Sequence, residues 1–289
     1  MDHDRRRCSR QRGIDDATDQ SAMRIKRISI GVAAVLLAVA NTLFGAAPTA
    51  REPSTVPILV YHRFAPVSND AMTVATRVFE QQLAWLRAHH YRIIPLRALV
   101  RGLREPTQTL PSRAVSITVD DGNESAYREL LPLVRRYRFP VTLFIYPSAI
   151  SNAGYALTWS QLADMQRTRL VDVQSHTWWH PNFAHERARL ASGAYRAFAM
   201  RQFVHSKDLI HRHLGGTIDM LAWPYGIHDP ELQRWASEAG YVAAFTLVRR
   251  GADPGDDLLA LPRYIVAGGD RGARFGALVE GGADRAGEP

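Results

Sequence analysis

The 289-residue sequence is 46% hydrophobic and 22% charged, the balance of a globular protein, which excludes wholesale disorder. Its formal net charge of +8 comes from scattered basic residues and not from a dense run interleaved with aromatic residues, so a nucleic-acid partner is not expected. The single cysteine, Cys8, excludes an internal disulfide and a metal site built from several thiolates. Any metal must therefore be held by His, Asp and Glu.

Residues 1–47 are predicted to form a cytoplasmic n-region followed by an export signal or an anchor. A basic stretch at 24–27 precedes an apolar run at 28–44, and small residues at 45–47 offer a cleavage point. The span 28–47 is also long enough to remain as a membrane anchor, and both alternatives stay open. In either case the basic flank stays inside, which predicts an exported protein, periplasmic or secreted, with or without attachment to the inner membrane.

After a polar linker at 48–55, short apolar runs alternate with helical patterns as far as residue 266. Strands are predicted at 56–61, 91–94, 114–119, 141–146, 171–175, 220–223, 241–247 and 262–266. Helices are predicted at 76–90, 97–104, 124–138, 160–167, 185–213 and 230–239. Several strands are continuous apolar runs, which indicates burial on both faces, as in a parallel sheet.

This alternation predicts an α/β fold, a distorted (β/α) barrel of seven or eight parallel strands. One domain of catalytic size accounts for residues 56–266. The segment 267–289 is rich in Gly, Ala and Arg and lacks a strong period, so we expect a flexible tail there. In such barrels the chemistry collects where the strands end, at their carboxyl edge.

Two carboxylates follow the predicted strand 114–119. Asp120 and Asp121 would point to opposite faces within a strand, but Gly122 lets the chain turn at the strand end so that both can approach one pocket. Adjacent carboxylates repel each other, and a bound cation relieves this repulsion. Because Asp-Gly is also a common turn pair, the motif alone leaves a plain turn open.

Two histidines follow the predicted strand 171–175. His176 and His180 are four residues apart, the spacing that lets two imidazoles on one helical turn bind one metal. Two histidines with this spacing, taken by themselves, are more often structural than metal-binding. A carboxylate at the end of a second strand makes metal binding the favoured interpretation. Asp121, His176 and His180 therefore make a candidate metal site with open positions for water and substrate. We expect a divalent ion, zinc in the first place, although the set also accepts cobalt, nickel or iron(II).

Three successive motifs resemble those of the polysaccharide deacetylase family (carbohydrate esterase family four, the NodB-homology domain): TVDDG at 118–122, HTWWH at 176–180 and WPYG at 223–226. The resemblance covers residues 56–266 and implies a NodB-like barrel with a polysaccharide substrate. It implies Asp120 as the catalytic base. It also implies Asp121, His176 and His180 as ligands of a divalent metal.

The resemblance further implies a histidine that protonates the leaving amine. The usual family arrangement places it near the carboxyl end, but this chain has no histidine after His228. The early Tyr61-His62 pair, at the end of an apolar strand, resembles that of the permuted subgroup that deacetylates poly-β-1,6-N-acetylglucosamine. His62 is therefore implied as the catalytic acid, and a buried structural histidine is the alternative.

Two further site residues are expected on weaker grounds. The resemblance implies the backbone N–H of Tyr225, in WPYG, as a donor to the oxyanion, with a plain turn as the alternative. Many family members have an arginine leading into this motif that holds the base, and residues 219–222 contain none, so Arg263 is the substitute we expect. Of Trp178 and Trp179, we expect one in the core and the other against a sugar.

These features predict a metal-dependent N-deacetylase acting outside the cytoplasm on a polymer like poly-β-1,6-N-acetylglucosamine, a biofilm polysaccharide. Peptidoglycan, chitin-like oligomers or a small amide are alternative substrates. A non-catalytic polysaccharide-binding module is an alternative of another class, and it would bind glycan without releasing acetate. A basic nucleic-acid-binding protein is the weakest alternative and predicts steeply salt-dependent DNA affinity. The oligomeric state stays open.

Overall fold

The computed structural model of the protein describes residues 55–68, 70–105 and 107–281. The export signal or anchor predicted within 1–47 lies outside these residues. In the described part of the chain, no helix is both long enough and apolar enough to cross a membrane.

Short apolar strands at the centre of the molecule form a parallel sheet. The strands are β1 Ile58–Tyr61, β2 Arg63–Ala65, β3 Thr73–Ala75, β4 Arg92–Ile93, β5 Ala114–Val119, β6 Val141–Ile145, β7 Val171–Ser175, β8 Met220–Ala222, β9 Ala243–Phe245 and β10 Tyr264–Ile265. Seven of them lie in the order β10–β1–β5–β6–β7–β8–β9, and β4 pairs with β5. β2 and β3 form a separate parallel pair.

The two ends of this sheet approach each other. Leu261, in the segment that leads into β10, makes a parallel bridge with Phe245 of β9. Its N–H donates to Ala244 at 2.9 Å, and its carbonyl accepts from the N–H of Thr246 at 2.8 Å. The predicted fold class, a distorted (β/α) barrel of parallel strands, is confirmed.

Helices cover the outside of the sheet. They are α1 Thr76–Ala88, α2 Leu96–Arg104, α3 Leu131–Tyr137, α4 Trp159–Arg167, α5 Phe183–Arg189, α6 Ser192–Leu214, α7 Pro230–Glu238 and α8 Ala273–Val279. A π-helical turn at Ala126–Leu130 precedes α3, and 3₁₀ turns lie at Pro224–Gly226 and Leu258–Ala260. Side chains cap two of these helices: Thr158 opens α4 with a capping box, and the Asp229 carboxylate accepts two N–H groups at the start of α7.

Burial on both faces explains why the strands read as unbroken apolar runs. Ile58, Phe144, Met220 and Phe245 pack together in one buried cluster within the barrel. The chain neighbours of Ile58 and Phe144, such as Leu59, belong to a second cluster under the helices, and those of Met220 and Phe245, such as Leu221, belong to a third. Successive side chains of a strand point to opposite faces, so a strand buried on both faces needs apolar residues throughout.

The strand register places four polar or aromatic residues side by side at one edge. Tyr61 pairs with Val119, so β1 and β5 end level with each other, and Ile145 pairs with Ser175, so β6 and β7 do too. The partner of Val119 in β6 is Leu143, so β6 and β7 extend two residues farther. The residues that follow these ends are His62, Asp120, Tyr146 and His176. The barrel therefore gathers them at its carboxyl edge, where (β/α) barrels place their chemistry.

Two predicted helices differ in the structure. The helix expected at 185–213 is divided into α5 and α6, because Leu190 and Ala191 adopt extended backbone conformations. The helix expected at 124–138 begins as a π-helical turn and becomes α-helical only at α3. Pro132 lacks an N–H to donate to the preceding turn, which explains why regular helical bonding is interrupted there.

Within the segment 267–289, expected to be a flexible tail, the structure describes residues up to 281 and places a helix there. Phe275 and Leu278 of this helix, α8, are completely buried. The Phe275 ring packs edge-on against Trp85 of α1, with 5.6 Å between ring centroids. This helix has only seven residues, which is too short for its period to be recognised in a Gly-rich sequence.

Candidate active site

Asp120 forms a fully buried ion pair with Arg263. Two guanidinium nitrogens of Arg263 donate to the two carboxylate oxygens at 2.9 and 2.7 Å. Arg263 also donates to the Thr246 carbonyl and the Thr118 hydroxyl, so its guanidinium is held on several sides. Burial alone would raise the pKa of Asp120, but the charge and the hydrogen bonds of Arg263 outweigh burial, and this pKa is lowered to about 2. The Asp120 carboxylate is therefore ionised at neutral pH.

Asp121 turns away from the strand into the same site. Its φ of 74° and the φ of 71° at Gly122 bend the chain sharply after β5. A Cβ at Gly122 would lie 3.0 Å from Ile145 and 3.1 Å from Ile150, so the turn requires glycine for space as well as for conformation. The turn leaves the Asp121 side chain partly exposed at 32%, in contrast to the buried Asp120.

His176 is fixed in one orientation by the backbone. It is 3% exposed, and its Nδ1 lies 2.8 Å from the carbonyl of Ala222 at the end of β8. If Nδ1 carries the proton and donates it to this carbonyl, Nε2 presents a free lone pair. Burial lowers the pKa of His176 to about 3, so the ring is neutral at physiological pH.

His180 reaches the site from a tight turn, not from a helix as the spacing suggested. Both Thr177 and His180 have positive φ, 65° and 62°, and the His180 N–H donates to the Thr177 hydroxyl. The imidazole lies between two aromatic rings. Tyr225 packs edge-on against it with 4.6 Å between centroids, and Tyr146 lies at 5.4 Å.

Asp121, His176 and His180 offer a set of ligand atoms suited to one divalent cation. Oδ1 of Asp121 lies 3.6 Å from Nε2 of His176 and 3.7 Å from Nε2 of His180. All three ligand atoms lie within 4.8 Å of one another. Bonds of about 2.0–2.2 Å from one ion to nitrogen and oxygen ligands allow such separations. Two neutral imidazoles and one carboxylate match the preference of zinc and related metals.

His62 lies close enough to the carboxylates for their charges to act on it. Burial lowers the pKa of His62, while the charges of Asp120 and Asp121 oppose that effect. Its Nδ1 is buried and has no hydrogen-bond partner among the described residues. A buried ring nitrogen without a partner is costly for folding, and such a group is typical of functional sites.

Tyr225 occupies a strained turn beside the two histidines. Its φ of 57° and ψ of 12° break the 3₁₀ turn Pro224–Gly226. The N–H groups of Gly226 and Ile227 are engaged within this turn, with the carbonyls of Trp223 and Pro224. Its side chain, 59% exposed, contacts His180, so the Tyr225 backbone borders the candidate metal site.

An open cleft of about 530 Å³ begins at His180. Its lining residues are Tyr146, Ser148, Ala149, Asn152, Ala153, Tyr155, Trp179, His180 and Tyr225. The sequence did not point to Tyr146 or Tyr155. Tyr146 could have been found from its position, because it directly follows β6 at the barrel's carboxyl edge. Their hydroxyl oxygens lie 2.7 Å apart.

The two tryptophans of the HTWWH motif have different surroundings. Trp179 lines the cleft and is 40% exposed, and its backbone N–H donates to the side-chain oxygen of buried Gln202. Trp178 packs edge-on against His205 of α6, with 4.8 Å between ring centroids. Gln202 is a further residue that the sequence did not single out.

Fold and site together define a (β/α)-barrel hydrolase with an Asp–His–His set at the strand ends. The family model "Polysaccharide deacetylase" matches residues 107–244, a range that includes Asp120, Asp121, His176, His180 and Tyr225. The resemblance read from the motifs is confirmed, and so is the enzyme class, a hydrolase of amide bonds. His62 and Arg263 both lie outside the matched range.

Individual relatives agree with the family match. The "Poly-beta-1,6-N-acetyl-D-glucosamine N-deacetylase" of Staphylococcus epidermidis is 26% identical over 206 residues, which cover 68% of this chain and 68% of the relative. The solved structure of IcaB from Ammonifex degensii has a TM-score of 0.69 at 24% identity, covering 78% of this chain and 97% of that one. The solved structure of the Streptococcus pyogenes deacetylase PplD in complex with acetate also has a TM-score of 0.69, at 22% identity. It covers 78% of this chain and 99% of that one. The two structures share the fold.

Proposed function

We propose that this protein is a metal-dependent N-deacetylase that removes acetyl groups from a poly-β-1,6-N-acetylglucosamine-like polymer outside the cytoplasm. The observation that carries the proposal is the convergence of three ligand atoms from Asp121, His176 and His180 within 4.8 Å, with ionised Asp120 beside them. A carboxylate next to an open metal site is the arrangement that amide hydrolysis by water requires.

Asp120 is the proposed general base. Its Oδ2 lies 3.9 Å from Nε2 of His176, so the carboxylate borders the ligand set without belonging to it. Arg263 holds both carboxylate oxygens and keeps the group ionised, ready to accept a proton from the attacking water. The water oxygen then forms a bond to the acetamide carbon, and the carbonyl oxygen acquires the negative charge.

Asp121, His176 and His180 would hold the cation, which when bound supplies Lewis-acid polarisation of the acetamide carbonyl. The Tyr225 N–H is the proposed donor to the oxygen on which negative charge develops. A preorganised backbone donor of this kind contributes about 3–4 kcal/mol to transition-state stabilisation. The strained backbone at Tyr225, which borders His180, supports this role.

His62 is the proposed general acid. As the carbon–nitrogen bond breaks, the departing amine takes a proton, and His62 at the end of β1 would donate it. The products are acetate and a glucosamine unit. The assignment is supported by the unpartnered, buried Nδ1 of His62 and by the position of this residue directly after β1, at the carboxyl edge of the barrel.

The substrate proposal rests on the relative that carries the name of a poly-β-1,6-N-acetylglucosamine deacetylase and on the early Tyr61-His62 pair. The open, aromatic cleft beside His180 is compatible with a long glycan that passes across the site. Export is proposed from the sequence of residues 23–47, a basic flank followed by an apolar run and small residues.

Acetate release from a β-1,6-linked N-acetylglucosamine pentamer tests the function. The metal-loaded protein should release acetate, a strong chelator should stop the release, and added Zn²⁺ should restore it. Asp120→Asn should lower kcat by roughly 10²–10⁴-fold, the usual contribution of a general base. Asp208→Asn, at an exposed position of α6, is the matched control and should keep full activity.

Several outcomes would contradict the proposal. Undiminished turnover by Asp120→Asn would remove the base from the mechanism. Pentamer binding without acetate release in metal-loaded protein would favour a non-catalytic polysaccharide-binding module. A higher kcat/KM on β-1,4-linked chitin oligomers or on peptidoglycan would keep the chemistry and replace the substrate.

A further inference from the structure

Exposed aromatic side chains are concentrated at the cleft beside His180. Among the described residues, four aromatic side chains are strongly exposed, namely Tyr137, Tyr155, Trp179 and Tyr225. Three of these four line this one cleft, and only Tyr137 lies elsewhere. Scattered exposed aromatics need no explanation, but a cluster at one concave surface indicates a binding site.

The aromatic residues of the cleft fall into two groups. Tyr146 and Tyr225 pack against the His180 ring, so they position that histidine. Tyr155 and Trp179 form an outer pair: within the described part of the chain, neither ring packs against His176 or His180, although both line the cleft. Tyr155 is 49% exposed and Trp179 is 40% exposed. This outer pair therefore has free surface that the chemistry at the metal site does not use.

We propose that Tyr155 and Trp179 form a binding subsite for the sugar unit next to the one being deacetylated. The inference rests on the proposed function and adds a chain-length dependence to it. The cleft begins at His180 and Tyr225, which also border the metal site, so a glycan held there by one unit continues along Tyr155 and Trp179. The subsite makes the enzyme prefer oligomers to single sugars.

The chemistry of the lining favours an uncharged sugar. Apart from the His180 imidazole, none of the residues that line the cleft is ionisable near neutral pH, since the others are tyrosine, tryptophan, serine, asparagine and alanine. Aromatic faces suit the apolar faces of a pyranose ring, and the hydroxyl and amide groups of Tyr155, Ser148 and Asn152 suit its hydroxyls. By contrast, the cleft between α6 and α7 is lined by arginines and glutamates such as Arg187 and Glu231.

Chain-length dependence of both binding and turnover tests the subsite. The substrates are a β-1,6-linked N-acetylglucosamine pentamer and the N-acetylglucosamine methyl glycoside. For Trp179→Ala and for Tyr155→Ala, kcat/KM on the pentamer should fall roughly tenfold, the loss expected for one aromatic contact, and far less on the monosaccharide. Trp179→Phe and Tyr155→Phe keep a ring and should retain most of the preference.

The control for truncating an exposed ring is Tyr137→Ala, because Tyr137 is 41% exposed and lies outside the cleft. This variant should keep the preference of the native protein for the pentamer. Calorimetric titration of the pentamer into metal-free Trp179→Ala supplies a readout that does not need turnover, and its Kd should rise by the same factor. Melting curves for each variant verify that it is folded.

The inference fails if Trp179→Ala lowers kcat/KM equally on both substrates, or if the native protein shows no preference for the pentamer. It also fails if pentamer binding is unchanged by both alanine variants. A protein that releases no acetate from either substrate would contradict the proposed function. Tyr155 and Trp179 would then be judged by the calorimetric titration, where a weakened Kd supports the subsite and an unchanged Kd rejects it.

Discussion

Among the arginine–carboxylate pairs of the described residues, Asp120–Arg263 is the one in which both side chains are buried. Arg263 is completely buried, and Asp120 is 2% exposed. Removing two charges from water is expensive, and the pair offsets this cost only because several hydrogen bonds satisfy both groups. A variant that removes one partner leaves the other as an uncompensated buried charge.

Arg263→Met should therefore lower the free energy of unfolding by about 3–5 kcal/mol at pH 7 and abolish acetate release. In the native protein the pKa of Asp120 is lowered to about 2, so the pair contributes stability above the unfolded pKa and loses it on acidification. Without Arg263, burial is unopposed and raises that pKa. The difference in free energy of unfolding between the native protein and Arg263→Met should then become smaller as the pH falls and Asp120 of the variant becomes protonated. Urea titration between pH 4 and 7 measures this.

Two comparisons make the Arg263 prediction specific. Arg250→Met breaks a bidentate pair with Asp256 in which Arg250 is 45% exposed, and it should cost only about 0–1 kcal/mol. The double variant Asp120→Asn/Arg263→Met carries neither charge of this pair and should recover much of the lost stability. If Arg263→Met lowered the free energy of unfolding as little as Arg250→Met, or by an amount that does not change with pH, the buried ion pair would not have the predicted effect on stability.

At the scale of elements, the sequence predicts what local patterning determines. Ala114–Val119 and Val171–Ser175 are strands with the predicted bounds. The first is buried along its whole length, and in the second the buried Val171 and Val173 alternate with polar residues. Strands β2 and β3 have three residues each, too few for any periodicity to be visible. The break between α5 and α6 falls inside a helical pattern that continues on both sides, so nothing local marks it.

Helix α8 shows how tertiary contacts define an element that its own sequence does not. Phe275→Ala should lower the free energy of unfolding by about 3–5 kcal/mol, because the ring is completely buried against Trp85 and the resulting cavity cannot collapse fully. Arg271→Ala, at an exposed position two residues before α8, is the control and should change it by less than about 0.5 kcal/mol. If both variants changed the free energy of unfolding by the same small amount, the stability of the barrel would not depend on α8.

At the scale of the whole molecule, the candidate site depends on the register of several strands. The sequence pointed to Asp120, Asp121 and the two histidines as candidates because they follow the ends of predicted strands, and parallel strands bring such ends to one edge. It did not indicate that His180 reaches the site through a turn with positive φ at Thr177, or that Tyr146 and Tyr225 flank its ring. Those features depend on packing between loops that are distant in sequence, which no local pattern encodes.

Because the proposed ligands come from the ends of β5 and β7, a cation that binds them should stabilise the fold as a whole. A ligand present at about 100 times its Kd stabilises the native state by about 2.7 kcal/mol. For a domain of roughly 200 residues this raises Tm by about 5–10 °C. Melting curves of chelator-treated protein with and without added Zn²⁺ should show this rise. His180→Ala should lose most of it, whereas His185→Ala, whose side chain is 74% exposed, should keep it. A Zn²⁺-dependent rise of the same size in both variants would show that the ion binds elsewhere.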